Sequence, residues 1–337
     1  MKVKDLKSIG IFRALQLGDM LCAIPAIRAL RHACPGARIT LIGLPWAASL
    51  LGRFSHYFDD FICFPGYEGL PEQEPVTSAY PSFLEEVRRR EFDLLLQMQG
   101  NGSIVNELLA DFGAKKMAGY FKDHPPAGQE YFIRYPDHGY EAERHLLLMR
   151  KLGITARDAR LEFPLLEKDF QELQQLHLPV EKKKYLCIHP GSRDMKRQWH
   201  PKYFAAIADH YLHEGWPVII TGTQDERYIA LEMIKYMKGI PINMTGRTSL
   251  GAVALLIRDA LGLVCNCTGV SHIAAAMRTP SVVISMDGEP IRWAPQNKTL
   301  HRVTDCSLHP QFNEVFEKAV ALTAHEKNTL PKREMAF

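Results

Sequence analysis

The stretch CNCTGVSHIAAA, residues 265–276, joins the end of an apolar run to a Thr-Gly turn and a helical pattern. Such a turn exposes backbone N–H groups and the positive end of a helix dipole, so it suits a bound anion. Thr268 offers a hydroxyl, Gly269 permits close backbone approach, and no acid stands nearby to repel phosphate. His272 lies one helical turn from Thr268 and is either a further ligand contact or a buried structural histidine.

Two other stretches carry charges that would complete a site for a nucleoside diphosphate. A helix dipole alone contributes about 0.3–2 kcal/mol toward an anion, which helps binding but does not suffice. In IHPGSRDMKRQWHP, the cations Arg193, Lys196 and Arg197 stand between a strand pattern and an amphipathic helix, as diphosphate ligands or as a solvated loop. In ITGTQDERYIA, Asp225 and Glu226 follow a strand, where a carboxylate accepts hydrogen bonds from ribose or caps the helix.

A fourth stretch, RALQLGDMLCAIP, follows the first strand pattern of the chain. Asp19 falls at or near a helix start, where it either caps the helix or takes a proton from a hydroxyl as a general base. Gly18 permits backbone conformations that other residues resist. Pro25 is unfavourable inside a helix, so the helix either starts late or bends there.

All four stretches follow predicted strands, and the chain alternates such strands with amphipathic segments. The strand patterns are SIGIFRA, ARITLIG, DDFICF, DLLLQM, KKMAGY, YLCIHP, PVIITG, PINMTG, ALGLVCN and PSVVIS. The helical patterns cover residues 20–32, 83–90, 101–112, 141–152, 202–214, 226–238, 250–259, 270–277 and 308–324. Continuous apolar strands alternating with helices are typical of parallel sheets covered on both faces.

We therefore predict an α/β chain with two Rossmann-like, doubly wound domains. The N-terminal domain is expected at 1–165 and the C-terminal domain at 185–325, joined by a polar linker at 166–184. The final helix is a candidate to pack back on the N-terminal domain, and we expect the last dozen residues to fray. Ligands of such sheets bind at the carboxyl ends of the strands, so the four stretches are expected to line a cleft between the domains.

Composition and missing motifs argue against several other classes of protein. A net charge of +3 over 337 residues gives no reason to expect nucleic-acid binding. The segment GNGSIV lacks the third glycine of a dinucleotide fingerprint, and the chain has neither a Walker-type phosphate loop nor an Asp-x-Asp pair. His210 and His213 lack a third metal ligand. Seven scattered cysteines fit reduced cytosolic thiols, and we predict no signal peptide and no spanning helix.

Taken together, the four stretches resemble glycosyltransferase family 9, the lipopolysaccharide heptosyltransferases. The matching segments are LGDMLCAIPAIRALRHACPGARITLIG, FDLLLQMQGNGSIVNELL, YEAERHLLLMRKLGI, HPGSRDMKRQWHPKYFAAIADHYLHEGWPVIITGTQDE and NMTGRTSLGAVALLIRDALGLVCNCTGVSHIAAAMRTPSVVI. The resemblance implies a GT-B fold with the acceptor on the N-terminal domain and the nucleotide sugar on the C-terminal domain. It also implies inverting, metal-independent transfer of a heptose, usually from an ADP-activated donor, to the lipopolysaccharide inner core.

The resemblance also implies roles for particular residues. Asp19 corresponds to the family's proposed base, and Arg197 or Lys196 to the lysine that contacts donor phosphate ahead of Trp199. Glu226 corresponds to the ribose ligand. The predicted donor-binding residues are Ser192, Lys196, Arg197, Gly222, Glu226, Met244, Thr268, Gly269 and His272. The predicted acceptor-side residues are Gly18, Gln99 and Asn101, and no metal site is predicted.

One position departs from the family pattern, because Cys267 stands where the family commonly has an aspartate that helps organise the donor site. We expect a cytoplasmic heptosyltransferase without a cofactor, whose partners are ADP-heptose and a lipopolysaccharide core acceptor, and we leave open peripheral contact with the inner membrane. The alternatives are another nucleotide sugar or a protein acceptor, a non-catalytic nucleotide-sugar-binding homologue, and a sugar epimerase of the same shape.

Overall fold

The computed structural model describes residues 2–128 and 130–323 of the chain. It divides into two compact units, Met1–Pro164 (the N-terminal unit) and Leu165–Phe337 (the C-terminal unit). Each unit is built on one six-stranded sheet in which all pairs of neighbouring strands are parallel. The expected fraying of the last dozen residues falls outside the described residues.

The sheet of the N-terminal unit has its most apolar strands at its centre. Its strands are β1 (Ser8–Phe12), β2 (Arg38–Gly43), β3 (Asp60–Cys63), β4 (Leu94–Gln97), β5 (Met117–Phe121) and β6 (Phe132–Arg134). They lie in the order β3-β2-β1-β4-β5-β6. All four residues of β4 are buried, as a strand covered on both faces requires.

Among the residues described in the N-terminal unit, four α-helices accompany this sheet. They are α1 (Leu17–Ala33), α2 (Tyr80–Arg89), α3 (Val105–Ala110) and α4 (Glu141–Lys151). Pro25 lies inside α1, so the helix does not start late, although proline leaves the preceding turn one hydrogen bond short. Helix α3 is shorter than predicted because the chain before it turns sharply at Gly102, where φ is +83° and an added Cβ would lie 2.2 Å from the carbonyl oxygen of Tyr120.

The sheet of the C-terminal unit repeats the same topology. Its strands are β7 (Leu186–His189), β8 (Val218–Ile220), β9 (Ile242–Asn243), β10 (Gly262–Asn266), β11 (Ser281–Ser285) and β12 (His301–Asp305). The order is β12-β11-β10-β7-β8-β9, so in both units the first strand lies between the second and the fourth. We call the place between the first and fourth strands, where the strand order reverses, the switch point of each sheet. Ligands of doubly wound folds bind at such points.

Within residues 165–323, the described part of the C-terminal unit, there are seven α-helices. They are α5 (Glu167–Gln175), α6 (Pro201–His213), α7 (Arg227–Tyr236), α8 (Leu250–Asp259), α9 (Gly269–Met277), α10 (Pro290–Trp293) and α11 (Phe312–Val320). Helix α5 occupies part of the segment predicted as a linker, and its Glu172 accepts the backbone N–H of Ser249 at 2.7 Å, ahead of α8. Helix α11 packs on its own unit, where the Tyr211 hydroxyl of α6 donates to the carbonyl of Ala319 at 2.6 Å.

Two edge strands were missing from the prediction. Strand β6 has three residues, and β12 reads HRVTD, so neither forms a continuous apolar run. An edge strand pairs on one side only and does not need such a run. The inner strands carry the switch points and were all predicted.

Candidate functional site

Arg13 organises the switch point of the N-terminal unit. Its side chain is fully buried just after β1, a position where a guanidinium needs several acceptors. It donates to the backbone carbonyl of Asp19 from Nε at 2.9 Å and from Nη2 at 2.6 Å, and from Nη1 to the carbonyl of Met98 after β4. Arg13 thereby joins the ends of β1 and β4 to the first turn of α1.

Asp19, the predicted base, lies in that first turn with a side chain that is 23% exposed. Its Oδ1 is 3.9 Å from Nη2 of Arg13, and Oε1 of the buried Glu141 is 3.9 Å from the same nitrogen. Gln16 occupies the N-cap position of α1, so the alternative that Asp19 caps this helix is wrong. Gly18 is the second residue of α1 and has a helical backbone, so the conformational freedom that glycine permits is not used there. The result is a carboxylate on a fixed helix turn, reachable from solvent and held beside a buried cation.

The two other acceptor-side residues have different surroundings. Gln99 is buried, and its Oε1 accepts the backbone N–H of Ala14 at 2.7 Å, so it bridges the ends of β1 and β4. Asn101 accepts the N–H of Ser103 at 3.1 Å and its hydroxyl at 3.0 Å within the local turn. Gln99 therefore fixes the switch point, whereas Asn101 shapes the loop beyond it.

Asn266 organises the switch point of the C-terminal unit. It ends β10 with no exposed surface, and its Oδ1 accepts the N–H of Trp199 at 3.0 Å. Its Nδ2 donates to the carbonyls of Pro190 at 2.7 Å and Gly191 at 3.3 Å. Both ends of the loop 190–199 are thus tied to the strand that leads into the Thr-Gly turn.

The predicted cations lie in that loop. Asp194 accepts the N–H of Lys196 at 2.9 Å and starts a short 3₁₀ turn, Met195–Arg197, from which the side chains of Lys196 and Arg197 extend into solvent. Ser192 is buried, and its carbonyl accepts Nε2 of Gln198 at 2.8 Å. Hydrogen bonds within the loop therefore fix its backbone, and Arg193, Lys196 and Arg197 are all exposed on it.

The Thr-Gly turn forms the start of α9, as the sequence predicts. Thr268 has the extended backbone of an N-cap residue, and Gly269 is the first helical residue. The backbone N–H and the hydroxyl of Ser271 both donate hydrogen bonds to the Thr268 carbonyl, the hydroxyl at 2.8 Å. The N–H groups of Gly269 and Val270 come before this bond, in the turn of a helix whose N–H groups lie outside its hydrogen-bond ladder, so they can serve an anion at this end of α9. His272 is 4% exposed, which fits the structural alternative for this histidine.

Glu226 lies beside the same edge of the sheet. Its Oε2 accepts the N–H of Thr223 at 2.8 Å and lies 3.4 Å from Nε2 of His189 at the end of β7. Burial raises the pKa of the Glu226 carboxyl, but the hydrogen bond and charge of His189 and the Thr223 amide outweigh burial and lower it to about 2. Glu226 occupies the N-cap position of α7, but its side chain makes no cap hydrogen bond to the helix.

Small residues leave room for Glu226. A Cβ on Gly191 would lie 2.4 Å from its Cδ, and a Cβ on Gly222 would lie 2.9 Å from Cγ2 of Thr245. Met244 is buried, and its N–H donates to the Ile220 carbonyl at 2.9 Å, so the side chain belongs to the packed interior. Gly191 and Glu226 thus bring the β7 and β8 ends into direct contact.

Cys267 is a neutral group at this edge. Burial raises the pKa of its thiol to about 12, with the charge of Asp287 adding to the effect and that of Arg197 opposing it. Cys267 therefore offers no negative charge at neutral pH. Its N–H donates to the Ile284 carbonyl of β11 at 2.7 Å.

The described ranges, 2–128 and 130–323, contain neither a metal-binding cluster nor a helix able to span a membrane. Within them, no cluster of three or more histidine, cysteine, aspartate or glutamate side chains is arranged to hold a metal ion. In the same ranges, no helix combines the length and apolar character that crossing a bilayer requires.

The sequence reasoning missed Arg13, Asn266, His189 and Asp287, although a signal existed for the first two. Both are polar residues in or beside strongly apolar strands, and buried polar side chains need partners. His189 also ends a strand, two residues before the glycine turn, but it was given no role. Asp287 reads in the sequence as part of a local turn, because its charged partner, Arg197, lies in a distant loop.

Comparison with known proteins agrees with this arrangement. Residues 81–320 match the model of glycosyltransferase family 9 (heptosyltransferase). The lipopolysaccharide core heptosyltransferase OpsX of Haemophilus influenzae is 22% identical over 300 residues, covering 86% of this chain and 82% of that protein. A family 9 glycosyltransferase from Veillonella parvula superposes with a TM-score of 0.78 at 18% identity, covering 96% of this chain and 99% of that one.

A second solved structure, the ADP-heptose lipopolysaccharide heptosyltransferase II of E. coli, gives a TM-score of 0.71 at 21% identity and covers 95% of this chain and 99% of that one. These likenesses confirm the predicted α/β fold of the GT-B type. The family model covers well over half of the chain. The protein belongs to glycosyltransferase family 9 and is a glycosyltransferase of the heptosyltransferase type.

Proposed function

We propose that the protein transfers a heptose from ADP-heptose to an inner-core acceptor of lipopolysaccharide, with inversion at the anomeric carbon and without a metal ion. The proposal takes the donor from the E. coli relative named for ADP-heptose and the acceptor class from the lipopolysaccharide heptosyltransferases that the chain resembles. It places the enzyme in the cytoplasm, beside the membrane face that carries a lipid-borne acceptor.

The observation that carries the donor half is the clamp that Asn266 makes at the C-terminal switch point. It ties the loop bearing Lys196 and Arg197 to the strand that leads into α9. Two cations and the amide end of a helix are then kept at one edge of the sheet, which is the combination that a diphosphate needs. The Glu226 carboxylate is ionised and held in place by the N–H of Thr223, so it can accept hydrogen bonds from the ribose hydroxyls of the same nucleotide.

The observation that supports the acceptor half is the setting of Asp19. Its carboxylate stands on a rigid helix turn, partly exposed, with Arg13 fixing the backbone beneath it. A general base works when it is held within reach of the proton that it removes. Asp19 is therefore proposed to accept the proton of the attacking hydroxyl.

In the proposed reaction the acceptor oxygen forms a bond to the anomeric carbon from the face opposite ADP, and its proton passes to Asp19. The bond between the anomeric carbon and the diphosphate oxygen breaks, and that oxygen keeps the electron pair. Arg197, Lys196 and the first amides of α9 stabilise the charge that builds on ADP, as prearranged donors do in other enzymes. These groups take the place of the metal ion that clamps the diphosphate in other transferases.

The test is acceptor-dependent release of ADP from ADP-heptose by the purified full-length chain. We expect release only when a lipopolysaccharide core acceptor is present, no loss of rate in EDTA, and a product whose anomeric configuration, read by NMR, is opposite to that of the donor. Consumption of another nucleotide sugar in preference to ADP-heptose would contradict the donor assignment. An isomerised donor in an acceptor-free incubation would indicate an epimerase instead.

Cys267 favours one second candidate, a homologue that binds nucleotide sugars without catalysis. The neutral thiol cannot replace the charge of the aspartate expected at this position. Such a protein would bind ADP-heptose but release no ADP in the presence of any core acceptor. The same assay therefore separates the two functions.

A further inference from the structure

Asp287 is a nearly buried carboxylate in the turn that follows β11. Its side chain is 6% exposed. Its Oδ1 accepts the hydroxyl of Ser285 at 2.8 Å and the N–H of Glu289 at 3.1 Å, while Gly288 between them adopts a φ of +71°. An Asp-Gly pair favours this kind of local turn. One carboxylate oxygen is therefore committed to the turn, which fixes the direction of the other.

The second oxygen points toward the cation loop. Oδ2 of Asp287 lies 3.9 Å from Nη1 of Arg197, whose side chain is 48% exposed. The charges of Asp287 and Arg197 act with opposite sign on the pKa of the Cys267 thiol, which follows the neighbouring strand β10. Asp287 therefore brings a negative charge beside Arg197, whereas Cys267 brings none.

We propose that Asp287 is a positioning residue that holds the Arg197 guanidinium toward the donor diphosphate, supplying from β11 the carboxylate that position 267 lacks. An arginine on an exposed loop loses rotamer freedom when it binds a ligand, and a fixed carboxylate beside it removes part of that loss in advance. The two hydrogen bonds to Oδ1 and the charge of Arg197 offset much of the carboxylate's own repulsion of phosphate. The inference rests on the proposed function, in which Arg197 contacts donor phosphate.

The first test is calorimetric titration of the full-length protein with ADP in a double-mutant cycle. Asp287→Asn should raise the Kd for ADP about three- to tenfold, which lies in the lower part of the coupling found between contacting residues in one network. In an Arg197→Ala background the same change should alter the Kd less than about twofold. Asp305→Asn is the matched control, because Asp305 ends strand β12 and, like Asp287, accepts a local N–H, here from Ser307 at 3.0 Å.

A second test moves the carboxylate from position 287 to position 267, directly after the neighbouring strand β10. Cys267→Asp alone should weaken ADP binding, since two carboxylates would then stand beside one arginine. The combined variant Cys267→Asp/Asp287→Asn should recover at least half of the free energy of ADP binding that Asp287→Asn loses. Thermal denaturation of each variant separates a loss of folding from a loss of binding.

The outcomes distinguish the two proposals. An equal effect of Asp287→Asn with and without Arg197, tighter ADP binding by Asp287→Asn, or no recovery in the combined variant would overturn the positioning role alone. If Arg197→Ala leaves the Kd for ADP unchanged, the phosphate contact fails and the positioning role fails with it.

Discussion

Replacing Asn266 with alanine removes the clamp at the C-terminal switch point. The Trp199 N–H at 3.0 Å and the Pro190 carbonyl at 2.7 Å would both lose a buried partner. A buried polar group left without its hydrogen bond costs about 1–3 kcal/mol, so the two groups together should cost Asn266→Ala about 2–6 kcal/mol of stability. For a unit of this size that corresponds to a fall in Tm of roughly 5–25 °C. Affinity for ADP should fall as well, because the cation loop loses its anchor.

The measurement is thermal denaturation combined with ADP titration. Asn243→Ala is the matched control, since Asn243 also ends a strand but accepts only one backbone N–H at its side chain, from Thr245 at 3.0 Å. That control should lose about 1 kcal/mol. The reasoning is refuted if Asn266→Ala matches Asn243→Ala in both Tm and affinity for ADP.

Three further substitutions test individual groups. Asp19→Asn should lower turnover by about 10²–10⁴ while leaving ADP affinity unchanged, and near-normal turnover would refute its role as base. Glu226 has a folded-state pKa of about 2 against an ordinary 4.5, so its contribution is present above about pH 4.5 and disappears as the pH falls toward 2. In urea denaturation, Glu226→Gln should therefore lose up to about 3 kcal/mol at neutral pH, and a gap from wild type that stays constant below pH 4.5 would contradict this. Gly191→Ala places a Cβ 2.4 Å from the Glu226 carboxyl carbon and should lower both Tm and ADP affinity; a wild-type Tm would show that the carboxylate moves freely.

Much of the fold was predictable because the inner strands are recognisable in the sequence as continuous apolar runs. Strands such as VII at 218–220 and SVVIS at 281–285 are buried on both faces. A strand covered on both faces needs apolar residues at consecutive positions, so it appears as a continuous apolar run. The edge strands β6 and β12 were not predicted, because they are only partly buried and need no continuous apolar run. The start of α9 at Gly269 was predictable for a local reason, since a Thr-Gly turn after a strand specifies its own helix start.

The residues of the candidate site were predictable only where the signal lies in the adjacent sequence. Lys196 and Arg197 stand out as charges in a loop, but the partner that fixes that loop is Asn266, about 70 residues away in sequence. Arg13 likewise reads as an interruption of an apolar strand, and its acceptors at Met98 and Asp19 become visible only when the sheet is assembled. Contacts between distant loops depend on strand order, which a single sequence does not encode locally.

The most direct test of the central claim is the ADP affinity of the Lys196→Ala/Arg197→Ala double variant. Lys182→Ala/Lys184→Ala removes the same charge from exposed lysines that precede the opposite end of β7, and it serves as the control. If the C-terminal unit holds a diphosphate with these two cations, the first variant should bind ADP at least about tenfold more weakly than the second, as loss of charge-assisted hydrogen bonds implies. Equal affinity in the two variants would contradict the account.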